Sequence, residues 1–312
     1  MSLPGKILYH AWHRPAGWMR GLIADGGPFE RRRTERGRRE MEAAAHRLPV
    51  LPPAPGQPVG LHLLTGRRFW YQTAFCLWSF ARHAGRPLSP VIYDDGTLVA
   101  EYREPLARLF PSVRFVSAAD SRARLDAHLP AARFPVLHER WRNYPNIRKL
   151  TDVHLGGTGW KLVLDSDLLF FRRPGFLLDW LAAPDRPLHA VDCTESYGYS
   201  RPLLERLAGA SIPPRVNVGL CGLRSDTLDW AELEAWIAEL QTREKTNYYL
   251  EQALVALLSA RQPCAVAPAT DYVTLPDQAE VIAPRAVMHH YVANAKRGYF
   301  RHGWRHFQSA GS

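Results

Sequence analysis

Residues 161–171 read KLVLDSDLLFF: an apolar run ending at Leu164, a break at Asp165-Ser166-Asp167, then a second apolar run. Short runs rich in Leu, Val and Phe on either side of a polar break predict strand, break, strand. The pattern repeats outward in both directions. VGLHLLT (59–65) reads as a buried strand and FWYQTAFCLWSFARHAG (69–85) as an amphipathic helix closed by Gly85. SPVIYDDG (89–96) is a strand and turn, EYREPLARLF (101–110) a helix, and VRFVS (113–117) a strand. Downstream, LHAVD (188–192), VNVGLCGL (216–223) and AVMHHYV (286–292) read as strands, with helices expected over 229–241 and 247–260. Strands alternating with helical patterns predict an α/β fold, a mostly parallel, Rossmann-like sheet with helices on both faces.

At 312 residues the chain is long enough for one full core with extensions. Three parts are expected: residues 1–58, an N-terminal extension with an arginine-rich run and a proline-rich linker; 59–300, the α/β domain; and 301–312, a basic aromatic tail. The run RRRTERGRRE (31–40) mixes arginine with glutamate and reads as a solvated helix or linker, while LPVLPPAPGQP (48–58) marks the boundary. The apolar run near the N-terminus is too short for a secretory signal. Four cysteines stand far apart without paired spacing, so a cytoplasmic location is expected. A net charge of +10 suits phosphate-bearing substrates or an anionic membrane surface.

In sheets of this kind ligands bind beyond the carboxyl ends of the strands. Asp165-Ser166-Asp167 is the only D-x-D triplet in the sequence, and it follows an apolar strand. A carboxylate pair between two apolar runs is costly unless its charge is offset. A divalent cation, Mn²⁺ or Mg²⁺, does so, because these ions favour hard oxygen ligands and bridge to diphosphate oxygens. A turn cap at Asp165 with Asp167 in solvent is the simpler alternative.

Those residues resemble the metal-binding segment of glycosyltransferases with the GT-A fold. Further segments resemble family 8, the type that includes glycogenin and bacterial lipooligosaccharide galactosyltransferases. Arg148 in NIRKL stands seventeen residues before Asp165, where the family has a donor-contacting arginine. VNVGL offers Asn217 and Gly219 for the family's F-N-x-G-V, and YYLEQALVALL offers Glu251-Gln252 for its Asp-Gln pair. HYVANAKRG places His290 and Lys296 at the family's spacing of six, with Ala293 where the family has glycine and without its Pro-Trp. The resemblance covers roughly residues 59–300. It implies metal-dependent transfer of a sugar from a nucleotide-sugar donor, a UDP sugar foremost, to an acceptor that the sequence does not identify.

The expected roles follow from the chemistry. Asp165, Asp167 and His290 would hold the metal; Lys296 and Arg148 would add cations to the diphosphate. His289 alternates to the other strand face and reads as structural. Thr65 to Tyr71 would border the nucleotide base, with Phe69, Trp70 or Tyr71 stacking on it. Asn217 and Gly219 join the donor-binding set. Gln252 and Asp192 would lie by the donor sugar. The resemblance implies retention of stereochemistry; inversion, with Glu251 or Asp271 as base, stays open. Two other classes stand as alternatives: a nucleic-acid-binding protein using the basic segments, and a sugar-nucleotide nucleotidyltransferase. TGRRFW has one glycine where the latter needs a glycine-rich phosphate loop, and no nucleic-acid partner is expected. In KRGYFRHGWRHF (296–307) basic and aromatic residues alternate. That suits either packing on the core or peripheral contact with the inner membrane surface.

Overall fold

A computed structural model gives the structure of the chain over residues 27–308. Residues 1–26 of the expected extension and 309–312 of the tail lie outside the described residues. In chain order the strands are β1 (Val59–Thr65), β2 (Leu88–Asp94), β3 (Arg114–Val116), β4 (Trp160–Leu164), β5 (Leu168–Phe170), β6 (Leu188–Val191), β7 (Val216–Arg224), β8 (Ala265–Val266), β9 (Tyr272–Thr274) and β10 (Met288–His290). The helices are α1 (Pro28–Ala45), α2 (Trp70–Ala84), α3 (Ala100–Leu109), α4 (Ala118–His128), α5 (Pro135–Asn143), α6 (Arg148–His154), α7 (Gly175–Ala182), α8 (Arg201–Ala208), α9 (Trp230–Glu244), α10 (Leu250–Ser259), α11 (Gln278–Ile282) and α12 (Lys296–Arg301).

The main sheet has the order β3-β2-β1-β4-β7-β6-β8. The pairs β1/β2, β1/β4, β2/β3 and β6/β8 are parallel, and β7 runs against both neighbours, β4 and β6. Alternation along the strands serves two helical layers. On one face Leu61, Leu63, Ile92 and Leu220 join α2 in a core with Phe75, Trp78 and Phe80. On the other, Val216, Cys221 and Leu223 pack with Trp236, Leu240, Leu254 and Leu257 of α9 and α10. The expected α/β sheet, mostly parallel and covered on both faces, is the observed one.

Two expected strands lie elsewhere. LLFF and AVMHHYV contribute β5 and β10 to a separate sheet of order β5-β10-β9. The break at Asp165–Asp167 is therefore a crossing from one sheet to another. In the antiparallel β5/β10 ladder His290 sits opposite Leu168, which brings it to the same seam.

The arginine-rich run is helix α1, with Arg38 paired to Glu35 and Glu42 at one-turn spacings. It packs on α12 and α2. Met41, Ala45 and Leu48 share one core with Tyr299, Trp304 and Phe307 of the C-terminal segment. Trp304 meets Phe75 edge-on at 5.6 Å between ring centres, and Phe307 meets Trp78 likewise at 5.9 Å. The tail's cations are engaged too: Arg301 pairs with Glu30 and donates to Thr34 Oγ1, and Arg305 pairs with Glu40. Residues of the N-terminal helix and of the C-terminal segment thus share one core with the α/β domain.

Gly37 is the close-approach point between α1 and α12. A Cβ there would stand 2.2 Å from the Phe300 carbonyl oxygen, a backbone atom that cannot step aside. In an isolated helix alanine is the better residue by about 0.5–1 kcal/mol. Here the collision outweighs that gain, because overpacking costs about 1–3 kcal/mol. Gly37→Ala is thus expected to lower the melting temperature by several degrees, since about 1 kcal/mol moves a domain of this size by about 2–4 °C. A thermal melt in which the variant matches or exceeds the parent chain contradicts the α1–α12 contact.

Candidate metal centre

Asp165 follows the last residue of β4, and its N–H donates to the Gly219 carbonyl at 2.8 Å. Asp167 precedes β5, and its carbonyl accepts from Tyr291 N–H at 3.1 Å. Both carboxylates are thereby fixed to β7 and β10, the strands that carry Asn217, Gly219 and His290. His290 Nε2 lies 3.3 Å from Asp167 Oδ1 and 3.7 Å from Asp165 Oδ2. One ligand atom from each of the three residues falls within 4.8 Å of the others. Two carboxylate oxygens and one imidazole nitrogen converging at this spacing match the donor preferences of a hard or borderline divalent cation.

The remaining contacts set this triangle. Asn217 Oδ1 accepts from Gly219 N–H at 3.0 Å, which fixes which amide atom is the oxygen. That oxygen is 3.1 Å from His290 Nδ1, so Nδ1 is the protonated nitrogen. Nε2 is then the nitrogen that faces the two carboxylates, where a cation would be held. Gly219 makes room for the ring: a Cβ there would lie 2.2 Å from His290 Cε1. His289 points the other way, as alternation predicts, bonding Glu280 at 2.9 Å and the Tyr291 hydroxyl at 3.0 Å.

Each aspartate also has a lysine on its outer oxygen. Lys149 Nζ donates to Asp165 Oδ1 at 2.8 Å and to Glu251 Oε1 at 3.0 Å; Lys296 Nζ pairs with Asp167 Oδ2. Burial alone would raise the Asp167 carboxyl, but Lys296 and His290 outweigh it and hold the group well below the usual carboxylate range. Burial likewise pushes the Lys149 ammonium down, and Asp165 and Glu251 reverse that and keep it charged. Burial raises Glu251 to about 7, with Lys149 offsetting part of the effect. Glu251 is thus wired to the triplet through Lys149 rather than aimed at the metal ligands.

Arg148 does not reach either aspartate of the triplet. Its Nε donates to Asp152 at 2.7 Å, its Nη2 to the Asp94 carbonyl at 2.7 Å, and its guanidinium covers the Trp141 ring. It braces the end of β2, while the neighbouring Lys149 takes the place beside Asp165. Consecutive helical side chains point about 100° apart, so the identity of the inward one was not legible in NIRKL. A lysine inside a helical turn whose every residue is buried is the signal that marks it.

Gln252 and Asp192 do come together: Gln252 Nε2 donates to Asp192 Oδ2 at 2.9 Å and to the Val216 carbonyl at 2.8 Å. Thr65 is buried and belongs to a hydroxyl chain, Thr65–Thr73–Ser166, with both links 2.9 Å, that joins β1 and α2 to the middle of the triplet. Of the three aromatics considered for base stacking, Trp70 is a core residue stacked on Tyr102 and Tyr71 is buried. Phe69, which precedes α2, is 42% exposed and free to meet a ligand. Asp271 is exposed on the turn before β9, and its carbonyl accepts from Val287 and Met288 N–H. Among the described residues no helix is long and apolar enough to cross a membrane.

No protein-family profile matches the sequence, and no curated protein matches it either. Solved structures do share its fold. One is mouse xyloside xylosyltransferase 1, 13% identical, with a TM-score of 0.52 over 77% of this chain and 99% of that one. Another is the galactosyltransferase LgtC in complex with donor and acceptor sugar analogues, 13% identical, TM-score 0.52, covering 80% of this chain and 94% of that one. The bifunctional glycosyltransferase WbbM is 14% identical with a TM-score of 0.53, over 83% of this chain and 53% of its own. The fold is therefore that of GT-A glycosyltransferases, as the D-x-D segment had implied.

Proposed function

We propose that this chain is a glycosyltransferase that binds a nucleotide-sugar donor, a UDP sugar foremost, through a divalent cation on Asp165, Asp167 and His290. The observation that carries the proposal is the inward convergence of those three ligand atoms, while Lys149 and Lys296 occupy the outer carboxylate oxygens. Fold alone leaves the chemistry open; this arrangement supports transfer of a sugar away from a nucleoside diphosphate leaving group. When bound, a cation at these ligands, Mn²⁺ or Mg²⁺, supplies Lewis acidity to diphosphate oxygens as the glycosidic bond breaks.

The chain's own groups have distinct parts in this reading. Lys296, half-buried beside Asp167, is placed to exchange its carboxylate contact for a departing phosphate. Asn217 keeps His290 in the tautomer that offers Nε2 to the metal. Gln252, tied to Asp192, presents a neutral amide to the sugar, which suits transfer with retention. Glu251 stays neutralised by Lys149, so it is a poor candidate for a base that inverts the centre. The acceptor binds outside these elements and is not identified by them.

The test is slow donor hydrolysis and calorimetric titration with nucleoside diphosphates in the presence of Mn²⁺. Uridine diphosphate is expected to bind tightest, with binding and hydrolysis both abolished by excess EDTA and restored by added Mn²⁺. Undiminished hydrolysis in EDTA sinks the metal-dependent reading. Equal affinity for all nucleoside diphosphates removes the preference for uridine while leaving the metal centre intact.

A further inference from the structure

Helix α2 is buried along most of its length, and Thr73, Cys76 and Ser79 stand fully buried among its aromatic and aliphatic residues. Spaced three residues apart, they form one row along the helix. A buried hydroxyl or thiol in such a row needs a partner, because an unmade hydrogen bond is costly there. All three find one in the segment that crosses from the main sheet to the second sheet. Thr73 Oγ1 lies 2.9 Å from Ser166 Oγ, Cys76 Sγ donates to the Asp165 carbonyl at 3.6 Å, and Ser79 Oγ accepts from Phe170 N–H at 3.1 Å.

Thr73 is where this row meets the residues between the two aspartates. It donates to Thr65 Oγ1, at the end of β1, at 2.9 Å. A hydroxyl has one proton to give, so Ser166 is the donor in its contact with Thr73. The Ser166 side chain is thereby directed at α2, and the middle of the triplet is anchored there. The backbone on either side is held as well, Asp165 N–H by the Gly219 carbonyl and the Asp167 carbonyl by Tyr291 N–H. Strands β7 and β10 thus hold the two ends, and α2 holds the middle. Three attachments define the orientation of a turn; two leave it free to rotate about the line between them.

From this geometry we infer that Thr73 is a positioning residue for the metal centre. Through Ser166 it sets how the Asp165 and Asp167 carboxylates face His290, and through Thr65 it ties that setting to the first strand. The inference rests on the reading of Asp165, Asp167 and His290 as metal ligands. Groups that hydrogen-bond behind a ligand set orient it and tune its affinity. Ser79 provides the contrast within the same row: its bond falls on Phe170, the last residue of β5, beyond the triplet.

The experiment adds Mn²⁺ alone to the full chain and to Thr73→Val, Thr73→Ser and Ser79→Ala, and reads the free ion from its electron paramagnetic resonance signal. Each chain is held well below its own melting temperature, which is measured in parallel. Thr73→Val keeps the shape of the side chain and removes the hydroxyl; it is expected to weaken Mn²⁺ binding by about 10–100-fold. Thr73→Ser keeps the hydroxyl and is expected to restore most of that loss. Ser79→Ala is expected to lower the melting temperature and leave Mn²⁺ affinity unchanged, since the bond it loses lies outside the triplet. Parental Mn²⁺ affinity in Thr73→Val overturns the inference and leaves the metal centre standing. So does an equal loss of affinity in all three variants, which marks a general loosening of α2. Should Thr73→Val fail to fold, Ser166→Ala, at a half-buried position, breaks the same bond from the other side and is read in the same way. A parent chain that binds no Mn²⁺ overturns the metal centre itself, and the role of Thr73 with it.

Discussion

Asp165→Asn and Asp167→Asn are each expected to slow donor turnover by about a thousandfold, about 4 kcal/mol of transition-state stabilisation. Both substitutions keep the shape of the side chain and remove its charge, so the fold should survive. What is lost differs between the two. Asp167 has Lys296 on one oxygen and faces His290 with the other; the amide weakens the metal ligand set and leaves the ammonium without its partner. Asp165 has Lys149 on its outer oxygen, and Lys149 also holds Glu251. Asparagine at 165 therefore also unbalances a buried lysine–glutamate pair, and a loss of stability accompanies the loss of rate. Turnover measured with Mn²⁺ alongside a thermal melt separates the two effects. Near-normal turnover in either variant would remove that residue from the metal ligands.

Gly219→Ala is the second large effect, and it involves no charged group at all. The new methyl would stand 2.2 Å from His290 Cε1 and 2.7 Å from both ring nitrogens. The ring has little freedom to withdraw, being 3% exposed and hydrogen-bonded to Asn217. Either β7 shifts or His290 leaves the triangle, and both outcomes open the ligand set. Disturbing the groups that orient a metal ligand lowers metal affinity by about 10–100-fold. The expected result is a Mn²⁺ requirement raised by that factor, with turnover partly recovered at saturating metal. A chain with parental Mn²⁺ dependence would show that His290 is not a ligand.

Much of this site was legible because its determinants are local. The triplet Asp165-Ser166-Asp167, the Asn217-x-Gly219 pair and the His290–Lys296 spacing each lie in one short stretch at an element's end. Strand alternation alone separated His290 from His289, since neighbours on a strand face opposite sides. The α/β class was likewise written in apolar runs alternating with helical periods, and Gly85, with its positive φ of 64°, marked where α2 ends.

Other features were settled only when the elements packed. Pairing direction is not a property of a strand's own residues, so VNVGLCGL could not announce that β7 runs against its neighbours. Likewise LLFF and AVMHHYV could not announce a second sheet. Lys149, which the sequence did not single out, stands beside Asp165 because the rotation of α6 about its axis is fixed by what it packs on. The arginine-rich run looked like a solvated segment because its charges outnumber its apolar residues; yet Gly37, Met41 and Ala45 are buried against α12 and the core. The same packing seats Tyr299, Trp304 and Phe307 of the C-terminal segment on the core, one of the two expectations for that stretch. Local sequence determined which residues could hold a metal. The long-range contacts of α1 and α12 decided what stands beside them, because a helix face acquires a role only from the surface it meets.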